Sequence, residues 1–173
     1  MNATNHLRLN VGFIIHETIG YIREFPLDLP FIHLPPDLDI EQFSGVVRIT
    51  RAQQGLVVQV QVQGETTAQC GRCLVDFSQQ VSANFTDLYA FTPKLAAESG
   101  LVLPENGQLD LEPSIREELL LSLPINPLCR PDCKGLCPVC GDNRNEVQCE
   151  HSAEVIDPRL EILKSMISKP KGE

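Results

Sequence analysis

Seven cysteines most strongly limit how this chain of 173 residues can fold. Five of them lie within residues 129–151, a short stretch that also contains a histidine and is rich in glycine, proline and asparagine. The other two lie well upstream, in the motif Cys70-Gly71-Arg72-Cys73. A stretch of such composition buries too little apolar surface to offset the entropy of ordering it. We therefore expect bonds to the cysteine sulfurs to hold it in shape.

The spacing of the cysteines is typical of metal ligands. From residue 129 onward the spacing is C-x3-C-x3-C-x2-C-x8-C-x-H, and C-x2-C occurs again at residues 70 and 73. A C-x2-C turn brings two sulfurs to the same side of the backbone, and structural zinc sites are closed sets of four Cys or His ligands. Eight candidate ligands make two such sets: Cys70, Cys73, Cys129, Cys133, Cys137, Cys140, Cys149 and His151.

The simplest division of these ligands follows their order in the chain. The pair at 70 and 73 would share an ion with Cys129 and Cys133, which would clamp the cysteine-rich segment onto the upstream turn. The remaining four ligands would form a second, local site. Because Cys133 and Cys137 are close enough in sequence to exchange roles, the membership of each site stays open. The number of zinc ions, one or two, stays open as well.

The cysteines could instead serve as redox centres, iron–sulfur ligands or disulfides, but each of these fits the surrounding sequence less well than zinc does. Redox-active C-x2-C pairs usually lie at a helix N-terminus in a βαβ unit, whereas Cys70 and Cys73 lie between two predicted strands. The spacing does not exclude iron–sulfur ligation, but zinc is the commoner metal in such turns. Disulfides fit least, because seven cysteines cannot all pair and a reducing compartment is expected. The main alternative to structural zinc is a redox-regulated zinc/thiol switch protein.

Composition and charge indicate where in the cell the protein is found and what kind of molecule it binds. No signal peptide is visible, and no apolar run approaches the roughly 18 residues that span a membrane, so we expect a cytoplasmic protein without membrane contact. The formal net charge is −9, and neither half of the chain is basic. Phosphate neutralisation supplies most of the affinity for nucleic acids. The acidity therefore favours a basic protein partner over direct contact with RNA.

Alternation of apolar and polar residues predicts antiparallel strands. Residues 45–52 and 55–64 are typical of a hairpin with its turn at residues 53–55. Within the second strand, valines alternate with glutamines from Val58 to Gln63. The alternation resumes at residue 75, after the first cysteine pair. That pair therefore lies in the turn between two long strands.

Prolines mark the remaining elements. A β-like stretch covers residues 19–25, and the prolines at 26, 30, 35 and 36 predict an irregular connection after it. A helix is expected over residues 112–123, where Pro124 ends it. A C-terminal helix is expected to begin at Asp157 and Pro158.

These elements predict the α+β class: an antiparallel β-rich body with a helix, a Cys-rich zinc-binding segment and a C-terminal helix. Residues 1–125 would form the body and 126–173 the zinc-binding part, folding as one cooperative unit. No catalytic triad, phosphate-binding glycine loop or carboxylate pair is visible. We therefore expect no enzymatic activity, no catalytic residues and no small-molecule substrate. Each structural zinc ion would supply roughly 10 kcal/mol or more of folding free energy.

Several stretches of the sequence resemble the YceD family, whose members are known as large ribosomal RNA subunit accumulation proteins. In chain order they are IGYIRE, VVRITRAQQGLVV, CGRCL, LLLSLPINPLCRPDCKGLCPVCG and DPRLEIL. The resemblance covers residues 9–168, and LCRPDCKGLCPVCG is its most specific part. It implies a non-enzymatic factor that supports accumulation of the large-subunit (23S) rRNA and ribosome biogenesis by binding. A ribosomal protein or a ribosome-assembly factor is the partner we expect.

The family's motif positions extend beyond the cysteines. They fall on Gly20, Arg23, Cys70, Arg72, Cys73, Cys129, Cys133, Cys137, Cys140, Cys149 and residues 157–159. The chain departs from the family pattern at two positions. His151 stands where relatives often have a further cysteine, which keeps a ligand but removes one negative charge. Arg144 stands where an apolar residue is expected.

Overall fold

The computed structural model describes residues 6–96, 100–149 and 151. Long antiparallel strands dominate it, and two α-helices and a short 3-10 helix (Pro93–Leu95) accompany them within the described ranges. In chain order the strands and α-helices are β1 (Arg8–Asn10), α1 (Gly12–Ile15), β2 (Ile22–Leu34), β3 (Leu38–Arg51), β4 (Gly55–Gln69), β5 (Asp76–Ala90), β6 (Gln108–Asp110) and α2 (Glu112–Ser122).

The main sheet is a four-stranded meander in the order β2-β3-β4-β5. Each strand pairs antiparallel with the next strand of the chain. The turn between β3 and β4 covers residues 52–54, close to the predicted hairpin turn. The pairing of β4 with β5 extends from Gly55 opposite Ala90 to Gln69 opposite Asp76. This long ladder gives the turn at residues 70–75 a rigid base.

One face of the sheet is buried, as the alternation in β4 predicts. Val58, Val60 and Val62 are buried, whereas the glutamines between them are exposed. Burying one such side chain stabilises the fold by about 1.5–3 kcal/mol. Helix α2 packs against β5 and contributes Ile115 and Leu119 to the same core. The antiparallel β-rich body is therefore confirmed.

A second, two-stranded sheet ties the start of the described chain to α2. Strand β1 pairs antiparallel with β6, with Leu9 opposite Leu109. An exposed ion pair between Arg8 and Asp110 (2.9 Å) flanks the pairing. These short strands give no signal in the sequence, because three residues are too few to show a period.

The predicted irregular connection after residue 25 is wrong. Strand β2 continues through Pro26 and Pro30 to Leu34. Because β2 is an edge strand, a residue without an N–H can occupy it without removing a bond to a second neighbour. The chain reverses only at residues 35–37, where the last two prolines lie.

The other predicted elements have mixed outcomes. Helix α2 covers Glu112–Ser122 and ends before Pro124, as expected. The predicted C-terminal helix at Asp157 lies outside the described residues. The division at residue 125 stays a prediction. Within the described ranges, no helix is both long and apolar enough to cross a membrane.

Two leucines of α2 allow a matched test of the core. Leu119 is fully buried, whereas Leu121 in the same helix is 72% exposed. We expect Leu119→Ala to lower the free energy of unfolding by about 2–5 kcal/mol, because it leaves a cavity in the core. Leu121→Ala should change it by about 0.5 kcal/mol or less. Urea denaturation of both variants measures the difference, and similar losses would contradict the packing of α2.

Candidate metal centre

The turn between β4 and β5 positions the first cysteine pair. The N–H of Cys70 donates to the carbonyl of Val75 (3.0 Å), and the N–H of Leu74 donates to the carbonyl of Cys70 (3.0 Å). These two bonds close the turn at the end of the sheet. Cys70 and Cys73 are both buried within it.

The segment after α2 lies against this turn and brings the second pair. The N–H of Gly71 donates to the carbonyl of Pro127 (2.8 Å), and the Arg72 guanidinium donates to the carbonyl of Cys133 (2.9 Å). In return, the carbonyl of Arg72 accepts a bond from the N–H of Leu136 (3.1 Å). Backbone and side chain of the Cys-Gly-Arg-Cys motif thus both bind the cysteine-rich segment.

The four sulfurs of the first group (Cys70, Cys73, Cys129 and Cys133) all lie within 4.8 Å of one another. The Sγ atoms of Cys70 and Cys133 are 3.8 Å apart, and those of Cys73 and Cys129 are 3.7 Å apart. A disulfide would need about 2.05 Å. Four sulfurs arranged tetrahedrally at about 2.3 Å from an ion are about 3.8 Å from one another. The spacing of the first group therefore fits a four-sulfur metal site.

The first group has its own small apolar surround, separate from the main core. Three of its cysteines are buried together, and Phe77 and Leu128 pack against them, partly buried. An apolar shell of this kind limits the access of water to a metal site. All seven cysteines of the chain are free thiols.

The surroundings of the first group lower the pKa of some of its cysteines and raise the pKa of others. Backbone N–H groups, that of Cys129 foremost and then that of Cys73, lower the pKa of Cys70 to about 6. Burial raises the pKa of Cys129 to about 12. Burial also acts on Cys133, but bonds from the Asn145 amide and the Gly135 backbone outweigh it and lower the pKa of that thiol. The lowered pKa values favour the thiolate form at some of the sulfurs. Four thiolates so close together repel one another, so a cation is required to keep all four deprotonated.

The second group (Cys137, Cys140 and Cys149) contains three sulfurs within 4.8 Å of one another. Its turn is closed by the N–H of Gly141, which donates to the carbonyl of Cys137 (2.9 Å). Backbone N–H groups of Cys140 and Val139 lower the pKa of Cys137 to about 6. Cys140 is exposed and Cys149 half-buried, so this group is more open to water than the first.

His151 lies outside the second group. It is exposed, and its ring nitrogens are not among the ligand atoms gathered there. Its role as a fourth ligand therefore stays a prediction. The structure places Cys133 with the first group and Cys137 with the second.

Asn145 is a residue of the site that the sequence analysis missed. Its amide nitrogen lies 3.3 Å from the sulfur of Cys133, twelve residues earlier. Ligand spacing gives no signal for such a contact, because the contact depends on how the loop folds back. Two asparagines one residue apart, Asn143 and Asn145, are the only hint of it in the sequence.

Gly135 offers a test of how the segment contacts the turn. It has a positive φ (+72°), and a Cβ atom there would lie 3.1 Å from the carbonyl oxygen of Arg72. Gly100 has a similar φ (+67°), and among the residues that the structure describes no atom would lie within 4 Å of a Cβ atom there. The backbone strain alone costs about 1–2 kcal/mol, so Gly135→Ala should lower the free energy of unfolding by more than Gly100→Ala does. Urea denaturation compares the two variants, and equal losses would contradict the close approach to Arg72.

Comparison with known proteins agrees with the sequence motifs. Residues 58–166 match the family described as "Large ribosomal RNA subunit accumulation protein YceD". An uncharacterized protein of Mycobacterium tuberculosis is 32% identical over 161 residues, which cover 90% of this chain and 74% of the relative. The uncharacterized protein YlbN of Bacillus subtilis is 27% identical over 110 residues, 62% of this chain and 64% of the relative. No solved structure matches the chain. The chain belongs to the YceD family.

Proposed function

We propose that the cysteine groups are structural zinc sites, one ion in each. The sulfur separations of 3.7 and 3.8 Å in the first group are the observation that carries this proposal. Thiolate ligands select soft or borderline metals, and zinc is the usual ion in closed four-sulfur sites. Bound zinc would offset the charge of the thiolates and link the two pairs. In the second group, His151 would complete the ligand set.

The first site would join two parts of the chain that lie far apart in sequence. Cys70 and Cys133 are separated by 63 residues and Cys73 and Cys129 by 56. A cross-link over so long a loop removes much of the entropy of the unfolded chain. The second site spans only residues 137–149 and would order that stretch locally. The first site would therefore matter more for the attachment of the segment.

The function that this arrangement supports best is that of a ribosome-biogenesis factor. We infer from family membership that the protein supports accumulation of the large-subunit rRNA. A closed four-sulfur site has no open position for a substrate, which supports action by binding rather than catalysis. The expected location is the cytoplasm, where ribosomes are assembled.

A basic ribosomal protein or assembly factor is the partner that we propose. The net charge is −9, and neither β4 nor β5 contains a lysine or an arginine. The outer face of these strands presents uncharged amides and hydroxyls, such as Gln61 opposite Asn84 and Gln63 opposite Ser82. Such a face lacks the positive stripe with which proteins bind a phosphate backbone. A pull-down with the purified protein should therefore recover a basic protein. Recovery of rRNA without any such protein, with binding that weakens steeply as salt is raised, would contradict a protein partner.

Metal analysis with cysteine variants tests the two sites. The purified protein should contain close to two zinc ions per chain, and Cys70→Ser and Cys137→Ser should each contain one fewer. Hydrogen exchange over residues 126–133 should rise strongly in Cys70→Ser and little in Cys137→Ser, because of the two sites only the first would link that stretch to the sheet. Elemental mass spectrometry and amide exchange measure these changes. A metal-free protein with reactive thiols or disulfides would instead favour the thiol switch.

Depletion of the protein from cells tests the biological role. We expect the ratio of large-subunit to small-subunit rRNA to fall, and wild-type protein to restore it. Cys70→Ser should restore it poorly, because the segment is no longer attached to the sheet, whereas the exposed-site control Leu121→Ala should restore it fully. Quantitative hybridisation of both rRNAs gives the ratio. A normal ratio after depletion would contradict the role in accumulation.

A further inference from the structure

Asn145 contacts a sulfur of the first group, and it lies in the loop between two cysteines of the second group, Cys140 and Cys149. Its amide oxygen accepts a hydrogen bond from the backbone N–H of Lys134 (2.9 Å). Because a backbone N–H can only donate, this bond determines which end of the amide is the oxygen. The amide nitrogen therefore faces the sulfur of Cys133 at 3.3 Å. A sulfur of the first group thus has a dedicated N–H donor.

A further asparagine holds this donor in place. The side-chain oxygen of Asn143 accepts bonds from both the backbone N–H (3.1 Å) and the amide nitrogen (2.7 Å) of Asn145. The amide of Asn143 in turn donates to Glu146 (2.9 Å). Rotating Asn145 away from the sulfur would break several of these bonds at once. The donor is therefore pre-organised by its own loop.

The loop that carries Asn145 belongs to the second group. It lies between Cys140 and Cys149, two of the three sulfur residues of that group. The N–H of Arg144 donates to the carbonyl of Gly135 (2.9 Å), which fastens the loop to the stretch between Cys133 and Cys137. An ion held by Cys140 and Cys149 would close this loop around Asn145. The conformation of the Asn145 amide would thus depend on the second group, whereas the sulfur that the amide contacts belongs to the first group.

We propose that Asn145 is a positioning residue that couples the two metal sites. An ion in the second site fixes the Asn145 amide on Cys133 and so strengthens metal binding at the first site. The inference rests on the proposed function, since it requires that both groups bind metal. Removing an outer partner of a metal ligand typically costs roughly 10- to 100-fold in affinity. Binding linkage is reciprocal, so an ion in the first site strengthens the second by the same factor.

Titration of the full chain with Co²⁺ against a chromophoric chelator tests the role of the amide. Difference spectra against Cys70→Ser, which lacks the first site, isolate the thiolate-to-cobalt band of that site. Asn145→Ala should weaken the first site roughly 10- to 100-fold and shift this band to lower energy, because Cys133 loses its N–H donor. Asn106→Ala is the matched control, since that side chain accepts a comparable bond from the Gln108 N–H (3.0 Å). It should change neither affinity nor band.

A double-mutant cycle tests the coupling itself. Cys149→Ser, which opens the second site, should weaken the first site in the wild-type background but have little effect in Asn145→Ala. If Cys149→Ser weakens the first site equally in both backgrounds, the coupling is overturned. It is also overturned if Asn145→Ala leaves both the affinity and the thiolate-to-cobalt band of the first site unchanged. Circular dichroism checks that the sheet is intact. Should Asn145→Ala not fold, Asn145→Asp replaces it, because Asp keeps the acceptor for Lys134 and lacks the donor.

The failure of the coupling and the failure of the metal sites give different results. If the wild-type chain shows no thiolate-to-cobalt band at all, the metal sites themselves are refuted, and the coupling with them. If the wild-type chain binds metal at two sites, and the affinity of the first responds neither to Asn145→Ala nor to Cys149→Ser, the metal sites stand and the coupling is refuted.

Discussion

The meeting of four sulfurs at the end of the sheet is the contact on which the cysteine-rich segment depends. The segment has few apolar side chains to bury, and of these Leu128 packs, partly buried, against the sulfurs. Hydrogen bonds at Gly71 and Arg72 set its direction, but each contributes only about 0.5–3 kcal/mol. Coordination of a metal ion by the two pairs of thiolates would be far stronger, and it would supply the stability that so few apolar side chains cannot.

The sheet and the cysteine groups have complementary structural roles. The main core of β2–β5 and α2 is a cluster separate from the one around the sulfurs, and the buried residues described in it include no cysteine. The paired strands β4 and β5 then hold the turn at residues 70–75 in a fixed place. The cysteine-rich segment is attached to that turn and presents its second group, which includes the exposed Cys140, next to it. Bound metal would therefore hold the cysteine-rich segment in place on a sheet whose own core is apolar.

Much of this arrangement is predictable because it follows local patterns. The period of two in β4 shows in its valines and glutamines, and the C-x2-C spacing shows in any cysteine-rich turn. The prediction that regular structure ends at Pro26 is wrong, because the edge position of β2 is a property of the sheet and not of the segment. Pairing of β1 with β6 and the contact of Asn145 with Cys133 depend on distant parts of the chain meeting, which spacing alone does not encode.

The central claim is that zinc in a sulfur environment joins the segment to the sheet. X-ray absorption at the zinc edge of the purified, reduced protein tests it most directly, because it reports both the element and its ligands. The account predicts bound zinc with a dominant sulfur shell at about 2.3 Å. Absence of zinc, or zinc surrounded only by oxygen and nitrogen at about 2.0–2.1 Å, would contradict it.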